Sequence, residues 1–159
     1  MPDNETSAPA SVKTRFAPPE VSALLLADIG HRETGGKHGL LGIFHNFVLP
    51  QIPVQAQCFL FLRLVDGRGD CPLILRIADA ETGLVLADQL CTARFTNPLE
   101  PLDVLVPVTF GLTKTGALLV SVLHQHNVLK SVRVPVQMAV RPTEPGAPGA
   151  VNFTQPGAI

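Results

Sequence analysis

From residue 20 onward, apolar residues return at every second position more often than at every third or fourth. In QAQCFLFLRL, residues 55–64, Ala56, Cys58, Leu60, Leu62 and Leu64 fall on one side, while the other begins and ends with Gln55, Gln57 and Arg63. Such alternation marks a strand with one face on a core and the other towards water. Leu102, Val104, Val106, Val108 and Phe110 share a face in the same way, as do Val132, Val134, Val136, Met138 and Val140. The pattern predicts about eight strands, at 21–29, 38–48, 55–65, 72–79, 84–95, 102–110, 117–124 and 128–140, and no helix of useful length. The clusters DGRGD, DAETG, TNPLEP and LTKTG punctuate them. Short strands with regular turn signals favour antiparallel pairing, so the expected fold is an all-β antiparallel β-sandwich, immunoglobulin-like in architecture. Pro107 and Pro135 interrupt good strands, and a residue without an N–H belongs on an edge strand or at a bulge.

Some strands are apolar on their second face as well. Phe59 and Phe61 lie opposite the aliphatic row of their strand, and Leu105 points away from the row of Leu102 to Phe110. Either the sheet is covered on both sides within one molecule, or an apolar patch is left for a partner. Together with the proline-marked edges, this suggests self-association or an unidentified protein partner.

Composition narrows the setting. A chain of 159 residues with 46% hydrophobic residues has material for one domain with a real core. Residues 1–19 and 142–159 are rich in Pro, Gly and polar residues and read as flexible tails around a domain at 20–141. A net charge of -1 and a pI near 6.5 supply no basic field for nucleic acid or anionic lipid. The polar, acidic start is unlike a secretory signal, and apolar runs such as ALLVSVL are too short for a membrane helix, so a cytoplasmic protein is expected. Cys58, Cys71 and Cys91 form an odd set without CxxC spacing, which reads as buried free thiols rather than disulfides or a zinc site.

The most suggestive segment chemically is HRETGGKH, residues 31–38. A phosphate-binding loop needs GxxxxGK[ST] followed by a helix. Here His31 stands where the first glycine should be, His38 where Ser or Thr should bind magnesium, and a strand pattern follows. A metal clip fares little better: His38 and His45 are roughly 23 Å apart along an extended strand, so at most His31 and His38 meet across a hairpin. The turn reading explains most, because Gly35-Gly36 supplies the positive φ that a hairpin reversal requires.

Elsewhere, His124 and His126 have the same-face spacing of two and form a two-ligand pair if that segment is extended. Asp66 and Asp70, with Asp28, Asp79 or Asp103, are candidate calcium ligands at one end of a sandwich, although no EF-hand spacing is present. Arg68-Gly69-Asp70 matches the integrin tripeptide but fits a glycine-rich hairpin turn equally well. Asp28 ends an apolar strand and reads as an acceptor for the adjacent turn rather than a catalytic acid. No GxSxG or Cys-His signature is present, and the absence of Trp and Tyr weighs against a sugar site. No catalytic, cofactor-binding or metal residue is assigned. The leading expectation is a non-enzymatic structural or protein-interaction module. The alternative is a calcium- or transition-metal-dependent binding domain or enzyme using the loop aspartates or histidine pairs.

The stretch ALLLADIGHRETGGKHGLLGIFHNFVLPQIPVQAQCFLFLRL resembles the opening of a bacterial β-sandwich family known only as a domain of unknown function. The resemblance rests on Asp28, Gly35 to Lys37, Gly42 to Phe44, Pro50, Pro53 and Leu62 to Leu64, and it extends over about residues 20–140. It implies a β-sandwich fold and carries no activity, cofactor or site residue.

Overall fold

A computed structural model of the chain describes residues 18–140. The expected tails, 1–19 and 142–159, lie outside the described residues apart from Pro18 and Pro19. The architecture is all-β. Nine strands follow one another: β1 (Glu20–Arg32), β2 (His38–Phe44), β3 (Phe47–Leu49), β4 (Val54–Val65), β5 (Gly69–Asp79), β6 (Val85–Phe95), β7 (Leu102–Leu112), β8 (Gly116–His124) and β9 (Asn127–Met138). They form a four-stranded sheet in the order β2-β1-β4-β7 and a five-stranded sheet in the order β3-β9-β8-β5-β6. One of the sheets is curled into a half-barrel.

Two expectations need correction. The segment 38–48 is two strands, because the chain bends at His45 and Asn46 and passes from one sheet to the other. Phe47 is drawn inward there, edge-on to Phe44 and Phe110 with ring centres 4.8 and 5.7 Å away. Pairing is also not wholly antiparallel: β3 runs parallel to β9, which it reaches without a hairpin.

The alternating rows face one another across a single core. Leu60, Leu62 and Leu64 of β4 meet Leu73, Leu75 and Ile77 of β5 and Val120, Val122 and Val134 of β8 and β9 in one buried cluster. Each such side chain contributes about 1.5–3 kcal/mol by leaving water. Where the alternation slips, a bulge restores it. In β1, Val21 and Leu24 are an odd number of residues apart, yet both are buried, because the ladder with β4 shifts between Val21 and Ala23. Ser22, at that shift, donates from its hydroxyl to the Arg63 carbonyl at 3.0 Å. The extra residue flips the phase of the strand.

At its middle β4 is apolar on both faces, with Phe59 and Phe61 on the second, and the β1–β2 hairpin packs against that part. The hairpin ladder keeps one register from Leu26↔Phe44 to Arg32↔His38, with Asp28 level with Gly42. Gly42 has φ +68°, and the Asp28 carboxylate occupies the space where a side chain at residue 42 would project. Beyond this point the hairpin lies against Phe59, Phe61 and Leu105. A Cβ on Gly30 would stand 2.8 Å from Leu105 Cδ1, and the His38 ring meets Phe61 edge-on at 6.1 Å. Phe61 is left only 8% exposed. Of the two alternatives left open by the sequence, the structure covers Phe61 within the molecule and leaves Phe59 and Leu105 half-buried.

Edges and crossings complete the frame. Pro107 lies in β7, which pairs on one side only, and Pro135 precedes the short stretch where β3 joins β9. Both are positions that tolerate a missing N–H. Lys130 of β9 donates from Nζ to the Val21 carbonyl at 3.2 Å, tying the start of β1 to the opposite sheet. The segment DGRGD is not the expected hairpin turn but a crossing from β4 to β5 in the other sheet, with Phe95 packed over Gly67. Among the described residues no helix is long and apolar enough to cross a membrane.

Replacing Phe61 with Ala is expected to lower the free energy of unfolding by about 3 kcal/mol in urea titrations and to speed amide exchange in β2 before that of β5. Uniform exchange rates in the variant would show that Phe61 does not anchor the hairpin.

Candidate functional site

The ladder of the first hairpin sets Arg32 opposite His38 and His31 opposite Gly39, so the two histidines point to opposite faces. They do not form the pair allowed for by the sequence. His31 lies over Gly39, 3.7 Å from the Glu33 carboxylate. The tip is the expected glycine turn, with φ of +98° at Gly35 and +85° at Gly36. The Gly36 N–H donates to the Glu33 carbonyl at 3.1 Å, and the Glu33 N–H to the Lys37 carbonyl at 2.7 Å. His45 stands apart in the link between β2 and β3.

The remaining candidates are also held separately. Asp70 pairs with Arg94 at 3.0 Å, and Asp103 receives both Nε and Nη2 of Arg63 at 2.8 Å. Asp66 has φ +59° within the β4–β5 crossing. Of the Arg-Gly-Asp tripeptide, Arg68 lies in that crossing, while Gly69 and Asp70 open β5. Asp28 accepts no hydrogen bond from a described residue, unlike the acceptor role expected, and its carboxylate lies over Gly42. Among the described residues no three His, Cys, Asp or Glu side chains come together as a metal site. Cys58, Cys71 and Cys91 are free. Burial, with the Asp28 charge adding to it, pushes the Cys58 thiol up to about 11.

Asp79 is the most engaged carboxylate. Its Oδ1 accepts from the Glu81 and Thr82 N–H groups at 3.0 and 2.7 Å and from the Thr82 hydroxyl at 2.9 Å. Its Oδ2 lies 2.9 Å from Lys114 Nζ. Lys114 first, then the Thr82 donors, hold the carboxyl well below the usual range. The chemistry is that of an Asx-type clamp: it closes the β5–β6 turn, where the Gly83 N–H also returns to the Asp79 carbonyl at 2.9 Å, and it binds the β7–β8 crossing to that turn.

A larger opening lies on the outer face of the five-stranded sheet. It is a groove of about 550 Å³ lined by Pro72 and Ile74 of β5, Leu90 and Thr92 of β6, and Gln125 and His126. The register explains its floor, since Ile74 pairs with Leu90 on one side and Leu123 on the other. Leu90 is 74% exposed. The rim is a two-residue reversal between His124 and Asn127, with positive φ at both Gln125 (+48°) and His126 (+71°). Such a reversal normally uses Asn-Gly. His124 and His126 therefore do not lie along an extended strand as the metal pair would require. His124 instead places Nδ1 2.9 Å from the Pro72 carbonyl, fastening the turn to β5.

A family model described as a family of unknown function (DUF6941) matches residues 22–155. The chain belongs to that family. No curated protein matches it. The DUF6941 match takes in β2 to β9 and nearly all of β1, so the groove lies within the shared region. Sequence patterning misses this groove because three distant segments build it. The one local signal in this DUF6941 member is Leu90, an apolar residue on the polar-facing side of ADQLCTA.

Exchanging His126 for Gly should relieve the left-handed backbone and raise the urea midpoint by the equivalent of about 0.5–1 kcal/mol. A lowered midpoint would mean that the imidazole contributes more than its backbone costs. For Asp79→Asn, the melting temperature should fall at pH 7, because a carboxyl held low when folded stabilises the native state above its unfolded value of about 4. The gap from the unaltered protein should narrow as pH drops below that value, and a gap independent of pH would exclude the charge as its source.

Proposed function

We propose that this chain is a non-enzymatic protein-interaction module, an immunoglobulin-like pair of sheets that works in the cytoplasm. Its groove receives an apolar side chain from an extended segment of a partner protein. The observation carrying this reading is Leu90, left 74% exposed beside Ile74 on the floor of a 550 Å³ groove, with Val128 a further 58% exposed apolar residue along the same row. An apolar centre with a polar rim of Thr92, Gln125 and His126 has the composition of an interface rather than of an idle surface.

Two further features support the same reading. β6 pairs only with β5, so its outer edge offers backbone groups to an added strand. Non-glycine residues in left-handed conformations cluster at functional rims, where surrounding structure holds them in place. The cytoplasmic setting accords with three unpaired thiols. The non-enzymatic reading accords with carboxylates occupied by arginine or lysine partners and histidines set apart from one another.

Selection from a displayed library of extended peptides should enrich sequences with alternating apolar residues. Leu90→Asp should weaken their binding about tenfold or more, while Glu81→Gln, on another loop, leaves it unchanged. Peptides that bind Leu90→Asp as tightly as the unaltered protein would remove the groove from the reading.

A further inference from the structure

A second opening, of about 400 Å³, lies where the folded-back hairpin meets the edges of the two sheets. Arg32 and His38 form its hairpin wall, Arg94 and Thr92 its β6 wall, and Val104 and Leu105 its apolar floor. Arg32 and His38 are register partners and so present their side chains on the same face. Thr92 borders both this cleft and the groove described above.

The charges around the cleft do not cancel. Asp103 lines it but has both oxygens bound by Arg63. Arg94 uses only Nε on Asp70, at 3.0 Å, and its side chain is 74% exposed, leaving both terminal nitrogens available. Arg32 is exposed and makes no ion pair with a described residue. Three guanidinium groups thus stand against two carboxylates, on a chain whose net charge is -1. His38 lines the same wall, and its buried Nδ1 has no partner among the described residues.

We infer that this cleft is a binding site for a small organic oxyanion, whose charged end lies between Arg32 and Arg94 and whose apolar body rests on Val104 and Leu105. Guanidinium forks match the paired oxygens of phosphate and carboxylate groups, which an ammonium cannot do with the same directionality. The floor favours an anion with a hydrocarbon part over a bare inorganic ion. This site does not depend on the docking groove, and either can fail without the other.

Calorimetric titration of the full chain with phenyl phosphate, benzoate and inorganic phosphate, each at ionic strength matched with sodium chloride, tests it. The expected result is saturable binding of phenyl phosphate or benzoate tighter than that of inorganic phosphate, with the order of the first two telling a phosphate site from a carboxylate site. Arg32→Gln and Arg94→Gln should each weaken the binding about tenfold, whereas Arg133→Gln, on β9, should not. Both cleft variants alter exposed side chains, and their melting curves without anion check that the fold is kept. Heats no greater than those of the chloride control, or affinity unchanged in both cleft variants, would overturn the assignment.

Discussion

Midway along its length β4 is apolar on both faces, and a two-sheet arrangement can cover only one of them. Leu60, Leu62 and Leu64 go into the core between the sheets, while Phe59 and Phe61 face the other way. Leaving two phenyl rings in water would forfeit several kcal/mol. The molecule answers by turning part of its own sheet over that face. The β1–β4 ladder ends at Ala27↔Phe59, and beyond it the hairpin crosses to Leu105, whereas a hairpin that continued the sheet plane would leave both rings bare. The cleft with Arg32 and Arg94 exists only because the hairpin returns across β4 and β7.

Electrostatics then secures what apolar burial has arranged. Arg63 with Asp103 and Arg76 with Asp88 each join register partners on adjacent strands through two hydrogen bonds. A slip by one residue would turn these side chains to opposite faces, so each pair opposes slippage as well as adding attraction. Asp79 acts differently: it collects donors from its own turn and from Lys114 on another connection, so two loops at one end share a single anchor. Arg32, by contrast, has no ion-pair partner among the described residues.

Much of the secondary structure was legible in the sequence. Period-two alternation marked β4 and β7 because each keeps one face on or beside the core, and β9 although only Val134 and Val136 of its row are buried and Met138 and Val140 are exposed; the GG pair marked the first reversal because little else accepts two successive positive φ angles. The split of 38–48 was hidden, since a chain that changes sheets keeps its apolar character while changing its neighbours. The break between β8 and β9 at 125–127 was legible, but its tight left-handed form was not: Gln125 and His126 are not turn formers, and tertiary fastening by His124 overrides their preference. The groove and the cleft were beyond reach, because each is assembled from strands far apart in the chain.

The connections have a consequence for how the chain reaches this state. Five of the eight links between successive strands change sheets, and only β1–β2, β5–β6 and β8–β9 are hairpins. The ladders β1–β4, β4–β7, β5–β8 and β3–β9 all join distant segments. Loop-closure entropy must be lost before such ladders return any free energy, which places domains of this kind among the slow folders, in milliseconds to seconds. During that interval the middle of β4 waits with both oily sides bare, which leaves the nascent polypeptide open to aggregation through that segment.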